Sequence, residues 1–158
     1  MSQLLGKELT PELFDRLKGE NVASQAGKAI ILVTVDEGGW AHPAMLSYHE
    51  VVAKNPSMID LAAGKTSTTA RNLRRTGKIT VLVTDRGVNY YLKGDARELR
   101  ESLEGVPFMS LFRVEMAELL EDQEPDAMIM SGVTFNRPQK KGAGEIAEKI
   151  FQAVRREP

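Results

Sequence analysis

Two hairpin signals restrict what this chain can fold into more than any other feature. Ala29–Val35 is apolar and rich in β-branched side chains, Asp36-Glu37-Gly38-Gly39 is a turn signal, and Trp40–Tyr48 continues as a return strand. Pro43 interrupts that return and places it at a sheet edge or a bulge, because proline has no N–H for a ladder. Lys78–Thr84 and Val88–Lys93 repeat the pattern around Asp85-Arg86-Gly87. A further pair is expected at Val51–Ala53 and Met58–Ala62, joined through Lys54-Asn55-Pro56-Ser57. In Leu111–Leu120, Phe112, Val114 and Met116 alternate with Arg113 and Glu115, which reads as a strand; Met128–Phe135 is expected to be the last one.

Helix signals are few. Thr10-Pro11-Glu12 has an N-cap residue followed by proline at the first helical position, and Leu13, Phe14 and Leu17 form a stripe that Gly19 ends. Ser67–Arg75 reads as a short helix closed by Gly77. Glu145–Arg156 reads as an amphipathic helix with Ile146, Ile150 and Val154 on one face. Strands that arrive as hairpins, not in alternation with helices, argue against a doubly wound parallel sheet. The expected fold is mainly β, an antiparallel barrel with a few peripheral helices, as one domain over residues 1–158.

At 158 residues the chain can bury a core without disulfides or a structural metal. It has no cysteine, which removes thiolate nucleophiles, iron–sulfur ligation and cysteine-type zinc sites. His42 and His49 are its two histidines, and no His/Glu cluster has ligand spacing, so no metal site is expected. The formal net charge of −1 offers no global field for nucleic acid or an anionic membrane. Met1–Glu8 lacks a basic-then-apolar leader, and no apolar run approaches the roughly 20 residues of a membrane span. A cytoplasmic protein is expected.

The chemistry concentrates in Ala62-Ala63-Gly64-Lys65-Thr66-Ser67-Thr68-Thr69-Ala70-Arg71-Asn72-Leu73. A strand ends, a glycine follows, and hydroxyls gather at the start of a helix. Free N–H groups and the helix dipole make such a terminus attractive to an anion. Lys65 and Arg71 add positive charge, and each charge-assisted contact contributes roughly 1.5–3 kcal/mol. A plain N-cap at Ser67 or Thr66, and a solvated face of Arg71, Arg74, Arg75 and Lys78, are the structural alternatives. Gly64-Lys65-Thr66 resembles the end of a Walker A loop, but Ile59 stands where that loop needs its first glycine.

Three stretches, spread over about residues 20–135, carry a family resemblance. Ile31–Pro43 is similar to the opening hairpin of the pyridoxamine 5′-phosphate oxidase-like split barrels, which bind FMN. Ser67-Thr68-Thr69-Ala70-Arg71-Asn72-Leu73-Arg74-Arg75 is similar to their phosphate-binding helix, and Tyr90-Tyr91-Leu92-Lys93-Gly94-Asp95-Ala96 to a later strand. The resemblance implies a split β-barrel and a homodimer with FMN at its interface. It implies Ala44, Met45, Leu46 and Ser47 beside the isoalloxazine ring through backbone groups. Ser67, Thr68, Arg71 and Asn72 are implied near the phosphate and ribityl chain. Thr68-Thr69 stands where many members have Arg-Lys, which moves the phosphate charge onto Lys65 and Arg71 or onto a residue of the partner subunit. The C-terminal Trp- and Arg/His-containing motif of true pyridoxamine phosphate oxidases is missing, so vitamin B6 oxidation is not expected.

A flavin-dependent oxidoreductase acting on a small organic substrate is the leading expectation, with NADH, NADPH or another small molecule as electron donor. No catalytic side chain is assigned. A flavin-binding module without turnover, for stress protection or sensing, stays open. So does a split barrel that takes another anionic ligand or haem. Tyr48, Tyr90 and Tyr91 could stack on a flat cofactor, with barrel packing as the commoner role.

Overall fold

The computed structural model describes residues 1–136 and 140–158. Its centre is an eight-stranded antiparallel sheet curled into a half-barrel. The strands are β1 (Ser2–Gly6), β2 (Ala29–Val35), β3 (Ala41–Ser47), β4 (Val51–Asn55), β5 (Met58–Gly64), β6 (Lys78–Asp85), β7 (Val88–Arg100) and β8 (Met109–Asp122). Along the sheet they run β3-β2-β6-β7-β8-β5-β4, with β1 on β8. One half of β8 pairs with β5 and the other with β1, so the longest strand ties two parts of the sheet together. The helices are α1 (Pro11–Leu17), α2 (Thr68–Thr76) and α3 (Ala143–Arg156).

Period-two alternation decides the faces. Ile30 and Leu32 of β2, Val81 and Val83 of β6, Leu92 of β7 and Phe112 of β8 turn inward and are buried. Leu13 and Leu17 of α1 and Leu73 of α2 close over this core. Tyr48 and Tyr90 belong to it as packing residues. A second cluster lies under α3, where Phe151, Ile150 and Val154 meet Val52, Ala62 and Leu111.

The expected hairpins form, and Leu111–Leu120 is strand, within β8. Pro43 lies on the edge strand β3 as its chemistry requires. Thr10 caps α1, its hydroxyl accepting from Leu13 N at 3.2 Å. Gly77 closes α2 in the left-handed conformation, at φ 66°.

Two expectations are corrected and one strand is added. Met128–Phe135 is not a strand: its backbone bonds go to separate places, Gly87 N to Ile129 O, Ala29 N to Val133 O and Phe135 N to Gly27 O. Only an isolated bridge between Lys28 and Thr134 results, and Met128, Met130 and Val133 stay exposed. Ser2–Gly6, to which the sequence reading assigned no element, is recruited as a strand by the free edge of β8. Ile146, expected on the buried face of α3 with Ile150 and Val154, is 43% exposed, and Phe151, which was not expected there, is buried instead.

Candidate functional site

β5 ends at Gly64, and the chain turns through Lys65, Thr66 and Ser67 into α2. Ser67 N donates to Gly64 O at 2.9 Å, and Ser67 Oγ accepts from Ala70 N at 3.1 Å. Ser67 is therefore the N-cap. Helix geometry leaves the N–H groups of Thr68 and Thr69 without intrahelical acceptors. The first turn carries no acidic residue. Arg71 folds back over this turn: Nη1 donates to Thr66 O at 2.6 Å and Nη2 to Thr68 Oγ1 at 2.9 Å. These partners are a carbonyl and a hydroxyl, so neither neutralises the guanidinium.

Lys65, Ser67, Thr68 and Arg71 thus share one turn. Lys65 Nζ reaches the β7–β8 connection, at 3.1 Å from Glu101 Oε1 and 3.0 Å from Ser102 Oγ. Lys65 N donates to Phe108 O in the same connection. Asn72 is turned away from the turn: it is buried, and Nδ2 donates to Thr34 Oγ1 of β2 at 2.9 Å. Arg74 and Arg75 are exposed, as the solvated-face alternative has it, and both guanidinium groups also have protein partners. Arg74 pairs with Glu98, whose carboxyl this hydrogen bond holds below its ordinary value, and Arg75 donates to Val35 O.

Ala44, Met45, Leu46 and Ser47 lie on β3, while α2 packs on β2, β5, β6 and β7. The four residues differ in what they offer. Leu46 is a core side chain, and Ala44 packs against the core. Ser47 is spent on the turn after β3, where its N–H and hydroxyl both donate to Glu50 Oε2, at 2.6 and 3.0 Å. Burial, partly offset by those bonds, pushes the Glu50 carboxyl above its ordinary value. Antiparallel ladders alternate bonded and non-bonded pairs. Ser47 N points to Glu50 and not to its register partner Ala29, so Met45, two residues earlier, also directs its backbone N–H and C=O away from β2. Among the described residues no strand pairs with that edge of β3. Met45 is therefore the member of the set with free backbone groups, and its side chain is 63% exposed.

The outward face of the sheet carries a cavity of about 850 Å³. Val33, Val35, Ala41, Lys78, Thr80 and Lys93 are among the residues lining it, and none of the expected site residues does. On the same face one cross-strand row runs Met45, Ile31, Leu82, Tyr91, Leu120, Leu4 through six strands. None of the six is fully buried.

Among the described residues no three His, Cys, Asp or Glu side chains gather as metal ligands. His49 stacks edge-on to Phe151, with centroids 5.9 Å apart. No helix among the described residues is long and apolar enough to cross a membrane. Glu101, Ser102 and Phe108 were not expected at this site. They lie far from Lys65 along the chain, and only the pairing of β5 with β8 brings them to it.

Comparison with solved structures defines the fold. A protein from Lactobacillus delbrueckii, described provisionally as a pyridoxamine 5′-phosphate oxidase, superposes with a TM-score of 0.59 at 16% identity, over 75% of this chain and 98% of that one. HupZ from Group A Streptococcus superposes with a TM-score of 0.55 at 17% identity, over 81% of this chain and 99% of that one. The fold is the pyridoxamine 5′-phosphate oxidase-like split barrel. No family model matches the chain. The uncharacterized protein YclD of Bacillus subtilis (strain 168) is 30% identical over 125 residues, 79% of this chain and 81% of that protein. The chain belongs to the family of YclD.

Proposed function

We propose that this protein binds FMN as a homodimer and works as a flavin-dependent oxidoreductase on a small organic substrate. The observation that carries the reading is the turn Gly64–Arg71. It combines a capped helix N-terminus, two orphan N–H groups, no acid in the first turn and an arginine folded over it. These groups fit a phosphate, which needs several donors and positive charge in one small volume.

In this reading Thr68 and Thr69 N–H, the Arg71 guanidinium and the Lys65 ammonium hold the phosphate. Ser67 shapes the turn by capping the helix. Asn72 has an indirect role, fixing α2 against β2 through Thr34. The free N–H and C=O of Met45 are a donor and an acceptor for the polar edge of a flat ring. The bound flavin supplies hydride chemistry that no side chain of this cysteine-free protein provides. The barrel supplies orientation and exclusion of water. The outward row from Met45 to Leu4 supports a second copy as partner, since six strands present apolar side chains there that are exposed or only partly buried.

Titration of the purified protein with FMN tests the binding step, by quenching of flavin fluorescence. Wild type is expected to bind FMN in preference to riboflavin. Thr68→Pro would remove one N–H at a helix position that accepts proline, and Arg71→Ala removes the covering charge. Together they are expected to lower FMN affinity at least tenfold. Unchanged affinity would overturn the phosphate placement. Bleaching of bound flavin by NADH or NADPH supports the oxidoreductase. A flavin that no donor reduces favours a binding module without turnover.

A further inference from the structure

We propose that the cavity on the outward face of the sheet is a binding site for a small aromatic carboxylate, held through Lys7. No residue of the Gly64–Arg71 turn lines this cavity, so the site stands apart from the flavin reading. Its volume of about 850 Å³ falls within the roughly 300–1,000 Å³ of small-molecule pockets. Two β-bulges shape it. In the β7–β8 ladder Lys93 pairs with Glu118 but Gly94 pairs with Met116, which leaves Ala117 unpaired and beside Glu118 in the lining. In the β1–β8 ladder Leu4 pairs with Leu120 but Gly6 pairs with Leu119. That shift reverses the alternation of faces and brings Lys7 to the same side as Leu4. A bulge re-aims side chains at the cost of ladder pairing, and these two aim theirs into one space.

The lining sets the chemistry of the occupant. Val33, Val35 and Ala41 give an apolar wall, and the small side chain of Ala117 leaves the floor open. Trp40 stands between the lining residues Gly39 and Ala41 and is 75% exposed, an aromatic side chain at the rim that the core does not use. Its loop is fixed, since Asp36 Oδ1 accepts from Gly38 N and from Trp40 N, each at 2.9 Å. The charged side chains of the lining are Lys7, Lys78, Lys93, Asp95 and Glu118. Lys78 pairs with Asp95, and Lys93 with Glu118 at 3.2 Å. Lys7 joins no ion pair among the described residues, so the lining keeps one uncompensated positive charge. A carboxylate on the ligand balances that charge, and a flat apolar body rests on the valine wall. An uncharged analogue keeps the apolar contact and loses the ionic one.

Calorimetric titration of the protein with indole-2-carboxylate and with its uncharged counterpart, indole-2-carboxamide, tests the site. Wild type is expected to bind the carboxylate about three- to tenfold more tightly, a preference that shrinks at high salt. Lys7→Gln removes the charge at an exposed position and is expected to bring the two compounds within about twofold of each other, with the amide unchanged. Ala117→Leu fills the cavity floor and is expected to weaken both compounds by about tenfold or more. Ala41→Leu narrows the same cavity from the edge strand β3, so a folding defect at the bulge does not decide the result. The proposal is overturned if neither compound binds wild type or if both bind equally. It is also overturned if the preference survives in Lys7→Gln, or if both filled variants keep wild-type affinity. FMN titration of the same preparations reads the Gly64–Arg71 turn separately, so either reading can fail without the other.

Discussion

At Gly94 an added Cβ would stand 2.5 Å from Val114 Cγ1 and 2.6 Å from Glu115 O. The second obstacle is backbone in a paired strand, so it cannot give way. The β7–β8 register shifts at this position, and the bulge needs the close approach that glycine alone permits. Gly94→Ala is expected to cost about 2 kcal/mol or more, measured by urea unfolding. Gly64 is the contrast. Its Cβ would meet Ser67 Cβ at an ordinary 3.6 Å, so Gly64→Ala is expected to be neutral or to stabilise by about 0.5 kcal/mol. The glycine that drew attention to the candidate site is the dispensable one. At this scale the capping role of Ser67 was legible, because hydroxyl, spacing and helix lie within one turn. The Glu101 contact was not, because it depends on which strands pair.

The elements that were legible are those whose burial repeats along the chain. β2 buries Ile30, Leu32 and Thr34 in alternation, and such a period is visible in residue order. β1 shows no such period: four of its five residues are exposed, and its pairing is decided by the unfilled edge of β8. Met128–Phe135 has strand composition but meets no free edge along its length, so composition misled. α3 shows a finer failure. Ile146, Ile150 and Val154 share a helical face, but the surface beneath α3 leaves Ile146 43% exposed and seats Phe151 at 2%. Phe151→Ala is expected to cost about 3–5 kcal/mol, since the ring fills the gap beside Gly19 as well as touching the second core cluster. Ile146→Ala is expected to stay within about 0.5 kcal/mol. Thermal denaturation of the two variants distinguishes this packing from the face drawn by periodicity. Equal losses would restore Ile146 to the core.

For the whole molecule, the inward side chains of the half-barrel are covered by α1 and α2, and α3 covers the second cluster, while the outward row belongs to neither cluster and is exposed or only partly buried. Met45, Ile31, Leu82, Tyr91, Leu120 and Leu4 lie in register across six strands, flanked by the ion pairs Lys78–Asp95 and Lys93–Glu118. An apolar centre with charged neighbours has the layout of a protein interface. A two-fold partner would bury the row against its own copy, as an isologous contact requires. It would also close the space beside the free backbone edge of Met45, which joins the dimer to the ring end of the proposed flavin site. Leu82 is central to the row and only partly buried, so Leu82→Glu leaves the inward core intact. Sedimentation velocity is expected to show a dimer for wild type and a monomer for Leu82→Glu, with an unchanged circular dichroism spectrum. FMN affinity is expected to fall at least tenfold with the loss of the dimer. Met45→Glu, at an exposed edge position, guards against a folding artefact and is expected to act in the same direction. A wild-type monomer that binds FMN at full affinity would separate the cofactor site from the interface and overturn the shared-site arrangement.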